Sequence, residues 1–145
     1  MHSLKKSALV PYSARQMFEL VNSVEEYPRF LPWCSNSRVI SRSESEVVAE
    51  LEISWKGMRK SFTTRNTLVP YDRMDMNLVN GPLKHMEGIW CFQPLNEKAC
   101  KVMLDLEFDF AGGLIGKLFQ PIFQHIANNL VDAFCKRAAE LYATD

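Results

Sequence analysis

Residues 47 to 110 carry a two-residue rhythm. Val47, Ala49, Leu51, Ile53 and Trp55 are apolar, while Glu50, Glu52, Ser54 and Lys56 between them are polar. That alternation belongs to a half-buried antiparallel strand, because successive side chains point to opposite faces. Gly57 marks a turn, and Met58 to Val69 reads as the next strand, less cleanly patterned. Met74, Met76 and Leu78 alternate with Arg73, Asp75 and Asn77. Met86, Trp90 and Phe92 alternate with His85, Glu87 and Cys91. Val102, Leu104, Leu106, Phe108 and Phe110 alternate with Lys101, Asp105, Glu107 and Asp109. Turn-rich links such as Val69-Pro70-Tyr71-Asp72 and Asn80-Gly81-Pro82 join these runs, which predicts a meander of five or six strands. One face of that sheet must be covered.

The flanks read differently. Ser3 to Val10 is a weak strand pattern. Ser13 and Gln16 have the spacing of a capping box ahead of the apolar residues Met17, Phe18, Leu20 and Val21. Ser23 and Glu26 repeat that spacing and predict a second short helix, which Pro28 limits to about a turn. From Leu114 to Tyr142 apolar residues recur at 115, 118, 119, 122, 123, 126, 130, 134, 138 and 141. A helix of that length spans about 40 Å, with Pro121 expected to break or kink it near its start. Its apolar residues cover about half the circumference, more than the roughly 100° stripe of a surface helix. Such a face predicts a helix gripped by something concave. The expected architecture is therefore α+β: a curved antiparallel sheet wrapped around a long C-terminal helix, with two short helices after the first strand, in a single domain over residues 1–145.

Composition narrows the partners. The 145 residues hold 17 basic and 17 acidic side chains, a formal net charge of zero. DNA as the main partner is disfavoured, because phosphate binding draws on a surplus of Lys and Arg. No apolar run approaches the roughly 18 residues of a transmembrane helix, and the first residues lack the uninterrupted apolar block of a secretory signal. The four cysteines, at 34, 91, 100 and 135, form no C-x-x-C pair and read as reduced thiols of a cytoplasmic protein, with Cys91 and Cys135 as small core fillers.

Chemistry of the catalytic kind finds few residues. His2, His85 and His125 share no metal-ligand spacing with each other or with Cys, Asp or Glu, so no metal is expected. Asp105, Glu107 and Asp109 share a strand face, but the wet one. Gly112-Gly113-Leu114-Ile115-Gly116-Lys117 has one residue too few between its glycines for a phosphate loop, and Leu118 stands where that loop needs Ser or Thr. No catalytic residue is assigned and no cofactor is required.

Three segments carry a resemblance: Tyr27-Pro28-Arg29-Phe30-Leu31-Pro32-Trp33-Cys34, Asn80-Gly81-Pro82-Leu83-Lys84-His85-Met86-Glu87-Gly88-Ile89-Trp90-Cys91-Phe92, and Phe134-Cys135-Lys136-Arg137-Ala138. With the order of elements, they resemble the START-like helix-grip superfamily, also described as polyketide-cyclase-like, and within it the coenzyme-Q-binding subfamily. Ala8-Leu9-Val10-Pro11-Tyr12-Ser13-Ala14 is similar to a bacterial branch of that subfamily, the ribosome-association toxins. The resemblance implies an apolar cavity between sheet and helix for a hydrophobic ligand, a ubiquinone-like polyprenyl quinone or other isoprenoid lipid. For the bacterial branch it implies binding of the large ribosomal subunit and a block of subunit joining. Quinone handling in respiration is the leading expectation, translation inhibition the runner-up, and a cyclase-like enzyme the weakest.

Candidate cavity residues are those whose parity faces the helix and those on the helix itself. The sheet supplies Trp55, Phe62, Met74, Met76, Trp90, Phe92, Leu106 and Phe108, and the helix supplies Phe119, Phe123, Ile126, Leu130 and Phe134. Any one of these also serves as ordinary core. Thr64 and Asn66 share parity with Phe62 and Leu68, so they face the cavity, where they could hydrogen-bond a quinone, unless the strand bulges and turns them to water. Tyr27, Phe30, Leu31 and Trp33 fall on a loop at the cavity mouth, as gate residues, as tips for peripheral contact with the inner membrane, or as packing under the short helices. For rRNA, Lys56, Arg59, Lys60 and Arg65 surround the Gly57 turn, with Lys5 and Lys6 near the chain start. Lys60 shares parity with Phe62, so the cluster cannot lie on one face of a regular strand.

Overall fold

The computed structural model describes residues 1–143. The chain runs β1 (His2–Val10), α1 (Ala14–Asn22), a 3-10 turn (Val24–Arg29), β2 (Cys34–Arg42), β3 (Glu46–Trp55), β4 (Met58–Val69), β5 (Arg73–Asn80), β6 (Leu83–Asn96), β7 (Ala99–Phe110) and α2 (Gly113–Tyr142). All strands pair antiparallel in one sheet of order β1-β7-β6-β5-β4-β3-β2. Strands β2 to β7 are thus a six-strand meander, and β1 closes it beside β7. The period-two runs set this order, since each hairpin link is short enough to bring its neighbours into register.

Local signals at the N-terminal side act as the sequence predicts, with one exception. Ser13 caps α1 in a full capping box: its hydroxyl accepts from the Gln16 backbone N–H, and the Gln16 side-chain Oε1 accepts from the Ser13 N–H at 2.9 Å. Ser23 does not repeat the device. Its hydroxyl donates to the Glu19 carbonyl at 2.7 Å, and the segment that follows is a 3-10 turn with no side-chain cap. Strand β2 carries no clean alternation, because its pairing with β3 shifts register between Cys34 and Asn36 and between Val39 and Ser41. A bulge breaks the two-residue rhythm, and the strand is invisible to a pattern search.

Helix α2 lies across the concave face of the sheet. It runs through Pro121 unbroken, without the hydrogen bond that a residue with an N–H would give the Lys117 carbonyl. The buried stripe is Phe119, Phe123, Ile126, Ala127, Val131, Phe134 and Ala138. Ile115, Leu118 and Leu141, which widen the apolar face in the sequence, are exposed, as is Leu114 at 70%. The helix is gripped on one stripe only, and its first turns keep an apolar side outside. No described helix is long and apolar enough to cross a membrane.

The thiols divide by parity. Cys34 and Cys100 are fully buried, whereas Cys91 is half-buried on the outer face of β6 and Cys135 half-buried on α2, so Cys91 is not a core filler. Burial pushes the Cys34 and Cys100 thiols up to about 11. Neither is a thiolate at neutral pH.

Candidate functional site: a cavity between sheet and helix

Between the concave sheet and α2 the side chains do not close completely. A cavity of about 80 Å3 remains, walled on the sheet side by Ala49, Leu51 and Ile53 of β3, Phe62, Thr64 and Asn66 of β4, Met76 of β5, Met86 and Trp90 of β6, and Leu104 and Leu106 of β7. Phe123, Ile126, Ala127, Leu130 and Phe134 of α2 form its roof, and Val24, Tyr27 and Trp33 close it from the segment between α1 and β2. The volume is short of the roughly 300–1,000 Å3 of pockets that take drug-sized ligands. Two of its wall residues are methionines, whose unbranched side chains repack readily. Gly88 lies on β6 between two wall residues, Met86 and Trp90. A Cβ there would stand 2.8 Å from Cδ1 of Leu106 and 3.1 Å from Cε of Met76, so any side chain at 88 pushes both into the space.

The wall contains no Asp, Glu, His, Lys, Arg or Cys. Its only acid is Tyr27, whose phenol burial pushes up from its ordinary range and whose hydroxyl donates to the Val21 carbonyl. Thr64 and Asn66 are 7% and 5% exposed. The β4–β5 pairing does bulge, between Thr63 and Thr64, yet the bulge leaves Thr64 and Asn66 facing inward opposite Ala49 and Val47. Oδ1 of Asn66 is buried and has no hydrogen-bond partner. An orphaned acceptor of this kind costs about 1–3 kcal/mol, and it faces a cavity whose other walls are almost wholly apolar.

Outside the cavity lies a surface groove of about 620 Å3, lined by Arg29, Phe30, Pro32, Trp33, Trp55, His125, Ile126, Asn129, Asp132, Ala133, Lys136 and Glu140. Trp33 and Ile126 line both spaces, so these two side chains are all that the groove and the cavity share as a wall.

The structure sorts the sequence candidates into three groups. Phe62, Thr64, Asn66, Met76, Trp90, Leu106, Phe123, Ile126, Leu130 and Phe134 line the cavity. Met74, Phe92, Phe108 and Phe119 do not. Met74 and Phe92 lie beneath α1, where the edge of Phe18 meets Phe92 at 5.7 Å, and Phe108 and Phe119 pack on Phe123 at 4.9 and 5.9 Å. Trp55 is displaced to the groove, where its ring contacts His125 at 5.1 Å. Parity places a residue on the inner face but says nothing of which end of the sheet the covering helices fill. Of the four mouth residues, Tyr27 and Trp33 wall the cavity, Phe30 lies half-buried in the groove, and Leu31 is core at 1% exposure. Val24, Ala49, Leu51, Ile53, Met86, Leu104 and Ala127 were not singled out as cavity residues. Five of them lie on the apolar parity of the recognised strands, so the signal was there without any mark to separate wall from core.

The basic residues do not converge on one face. Arg59 is 3.6 Å from Glu52 and Arg65 is 3.5 Å from Glu46, both on the outer surface of the sheet. Lys60 has the opposite parity, and Lys56 sits at the hairpin tip with φ 47°. Lys5 lies 3.9 Å from Asp105 on β1, at the other edge of the sheet. The outer face also carries what sequence spacing did not show: the register Glu87↔Glu107 brings ligand atoms of His85, Glu87 and Glu107 within 4.8 Å of one another, exposed beside a hollow with Asp75 and Asp105.

Comparison with known proteins agrees with this geometry. Residues 10–135 match the family described as polyketide cyclase / dehydrase and lipid transport. The chain belongs to that family. A ribosome association toxin, RatA, of Pseudomonas aeruginosa is 52% identical over 139 residues, 96% of both chains. A mitochondrial coenzyme Q-binding protein homolog of Xenopus laevis is 28% identical over 141 residues, 94% of this chain and 58% of that protein. Among solved structures, a Streptomyces aromatase/cyclase superposes with TM-score 0.84 at 15% identity over 98% of this chain and 96% of that one, and a START superfamily protein of Mycobacterium smegmatis with 0.81 at 19% over 97% and 99%. The helix-grip fold implied by the sequence resemblance is the fold of this chain.

Proposed function

We propose that this protein binds the large ribosomal subunit and blocks its joining to the small one. The observation that carries this reading is the extent of the likeness to the RatA toxin: more than half of the positions, over nearly the whole of both chains. A two-residue rhythm and a helix stripe are shared by any protein of this fold, whereas 52% identity over 139 residues is far more than that shared pattern requires. The leading expectation from sequence moves accordingly to second place. The test is a sucrose-gradient profile of ribosomes mixed with the purified protein. Subunits should separate and the protein should travel with the large one; intact ribosomes with protein left at the top of the gradient would sink the reading. Lys56 and Lys60 make no ion pair among the described residues, so Lys56→Ala with Arg59→Ala and Lys60→Ala is the first variant to lose association. Association that survives this change removes the β3–β4 hairpin as the contact.

The cavity supports a second activity, binding of a hydrophobic ligand of the polyprenyl quinone class. Its support is the almost wholly apolar wall with two uncharged polar groups, together with the likeness to a coenzyme Q-binding protein. Mass spectrometry of lipid extracted from the purified protein tests it: a stoichiometric isoprenoid quinone is expected, and protein free of lipid speaks against it. The protein is not an enzyme in this reading, since acid–base catalysis needs a titratable group within hydrogen-bond reach of the substrate and the wall offers only a spent tyrosine hydroxyl.

A further inference from the structure

We infer that the cavity takes a neutral amphiphile head-first, with Asn66 as the group that binds the head, and that the ligand's chain leaves between Trp33 and Ile126 into the groove. This rests on the ligand-binding reading but is narrower than it, since it names the charge of the head, its partner and the direction of the chain.

Three observations converge. The first is the orphaned Oδ1 of Asn66, on a side chain 95% removed from solvent in a wall of apolar groups. Buried polar groups are paired in nearly all folded proteins, so one that is not is waiting for a partner the chain does not supply. A primary amide accepts from a hydroxyl through its oxygen and donates to a carbonyl through its nitrogen, so a rotation of the amide serves either head. The second is the absence of any cationic or anionic side chain in the wall. A carboxylate or phosphate head would enter without a counter-charge, at a cost of several kcal/mol that a single amide does not offset. Fatty acids and phospholipids are therefore excluded as head-in ligands, and quinones, quinols and long-chain alcohols are not. The third is size. About 80 Å3 lies inside, less than the roughly 150 Å3 of an apolar cavity known to hold benzene, so even a ring-sized head enters only as Met76 and Met86 repack, whereas about 620 Å3 lies in the groove just beyond Trp33 and Ile126. A head with a long chain cannot be enclosed, so the chain must cross that shared wall and lie along the groove.

The experiment is a titration of the intact protein, followed by its tryptophan fluorescence, with four probes at neutral pH: decylubiquinone, 1-dodecanol, palmitate and the tail-less quinone head 2,3-dimethoxy-5-methyl-1,4-benzoquinone. The first two are expected to bind at one site and palmitate at least tenfold more weakly. Asn66→Leu, which keeps the branched skeleton of asparagine but is bulkier, and Asn66→Ala, which adds no bulk, should each weaken both chain-bearing neutral probes about tenfold, with the melting temperature holding or rising in the leucine variant; Thr64→Val serves as the matched control that removes a hydroxyl from the same face. Ile126→Trp, which fills the passage, should weaken the chain-bearing probes more than the tail-less quinone head. If dodecanol binds through Asn66 and decylubiquinone does not bind, the quinone reading fails and the inference stands. Equal affinity of wild type and Asn66→Leu, palmitate binding as tight as dodecanol, or binding of none of the probes overturns the inference.

Discussion

The two ends of the space between sheet and α2 are built from the same kinds of residue and packed to opposite effect. At the α1 end Met17, Phe18, Leu20 and Val21 descend onto Phe92, Cys100 and Val102, all at 4% exposure or less, and Trp90 stacks on Phe92 while Phe134 meets its edge at 5.3 Å. At the other end, among the described residues, α2 is joined by no second α-helix. The cover there is the irregular segment around Trp33, and a cavity and a groove remain. The apolar alternation of the strands is the same at both ends. What separates solid core from binding space is how completely the covering side chains fill the concave face: Phe108, Phe119 and Phe123 close it again at the far end, and Thr64 and Asn66 stand where the filling is incomplete.

This contrast breaks most visibly with Phe92→Ala. A fully buried ring at the closed end should cost about 3–5 kcal/mol in urea unfolding, with ligand binding unchanged in whatever fraction stays folded. Trp90 stands between the two ends, at 2% exposure yet on the cavity wall. Trp90→Ala should cost less than the roughly 3–5 kcal/mol of a ring packed on all sides and also weaken the ligand; a full loss with binding untouched would assign Trp90 wholly to core. Asn66→Leu inverts the sign: removing an unpaired buried amide should raise stability by about 1 kcal/mol while binding falls. A melting temperature lowered by that change means that Asn66 is paired within the fold.

Smaller effects test the local signals. Ser13→Ala should cost about 1 kcal/mol, since it deprives the first turn of α1 of its acceptor, whereas Ser23→Ala should cost less, because that serine gives the 3-10 turn no side-chain cap and loses only its exposed bond to the Glu19 carbonyl. Least of all is the Arg42–Glu25 pair, two contacts of 2.9 Å with both side chains about half exposed. Hydrogen bonding to Arg42 holds the Glu25 carboxyl below its ordinary value. A depressed carboxylate contributes stability above its unfolded pKa and loses it as pH falls through the folded one. A double-mutant cycle should therefore read a few tenths of a kcal/mol near pH 7, fading below about pH 4 and in high salt.

Much of the fold was legible because its elements announce themselves within a few residues. The capping box at Ser13, the turns at Gly57 and Gly81 and the parity of β3 to β7 need only neighbours in the chain. Strand β2 was not legible because its bulges break the rhythm that parity depends on. The site was legible in part: Thr64 and Asn66 stand out because polar residues on an apolar face are rare enough to need a reason. Met74 and Phe92 could not be told from Met76 and Trp90, as each pair shares strand, parity and chemistry and differs only in what packs opposite.

The sequence by itself therefore determined the order of elements apart from β2, the inner face of strands β3 to β7 and the two polar groups on that face, because strand periodicity and capping act over a few residues. The tertiary structure alone decided where the inner face is filled and where it is open, since that depends on contacts between α1, α2 and strands far apart in the chain. It also decided that Ile115 and Leu118 stay outside. A helix stripe records which residues are apolar, and only the packed partner decides which of them are covered.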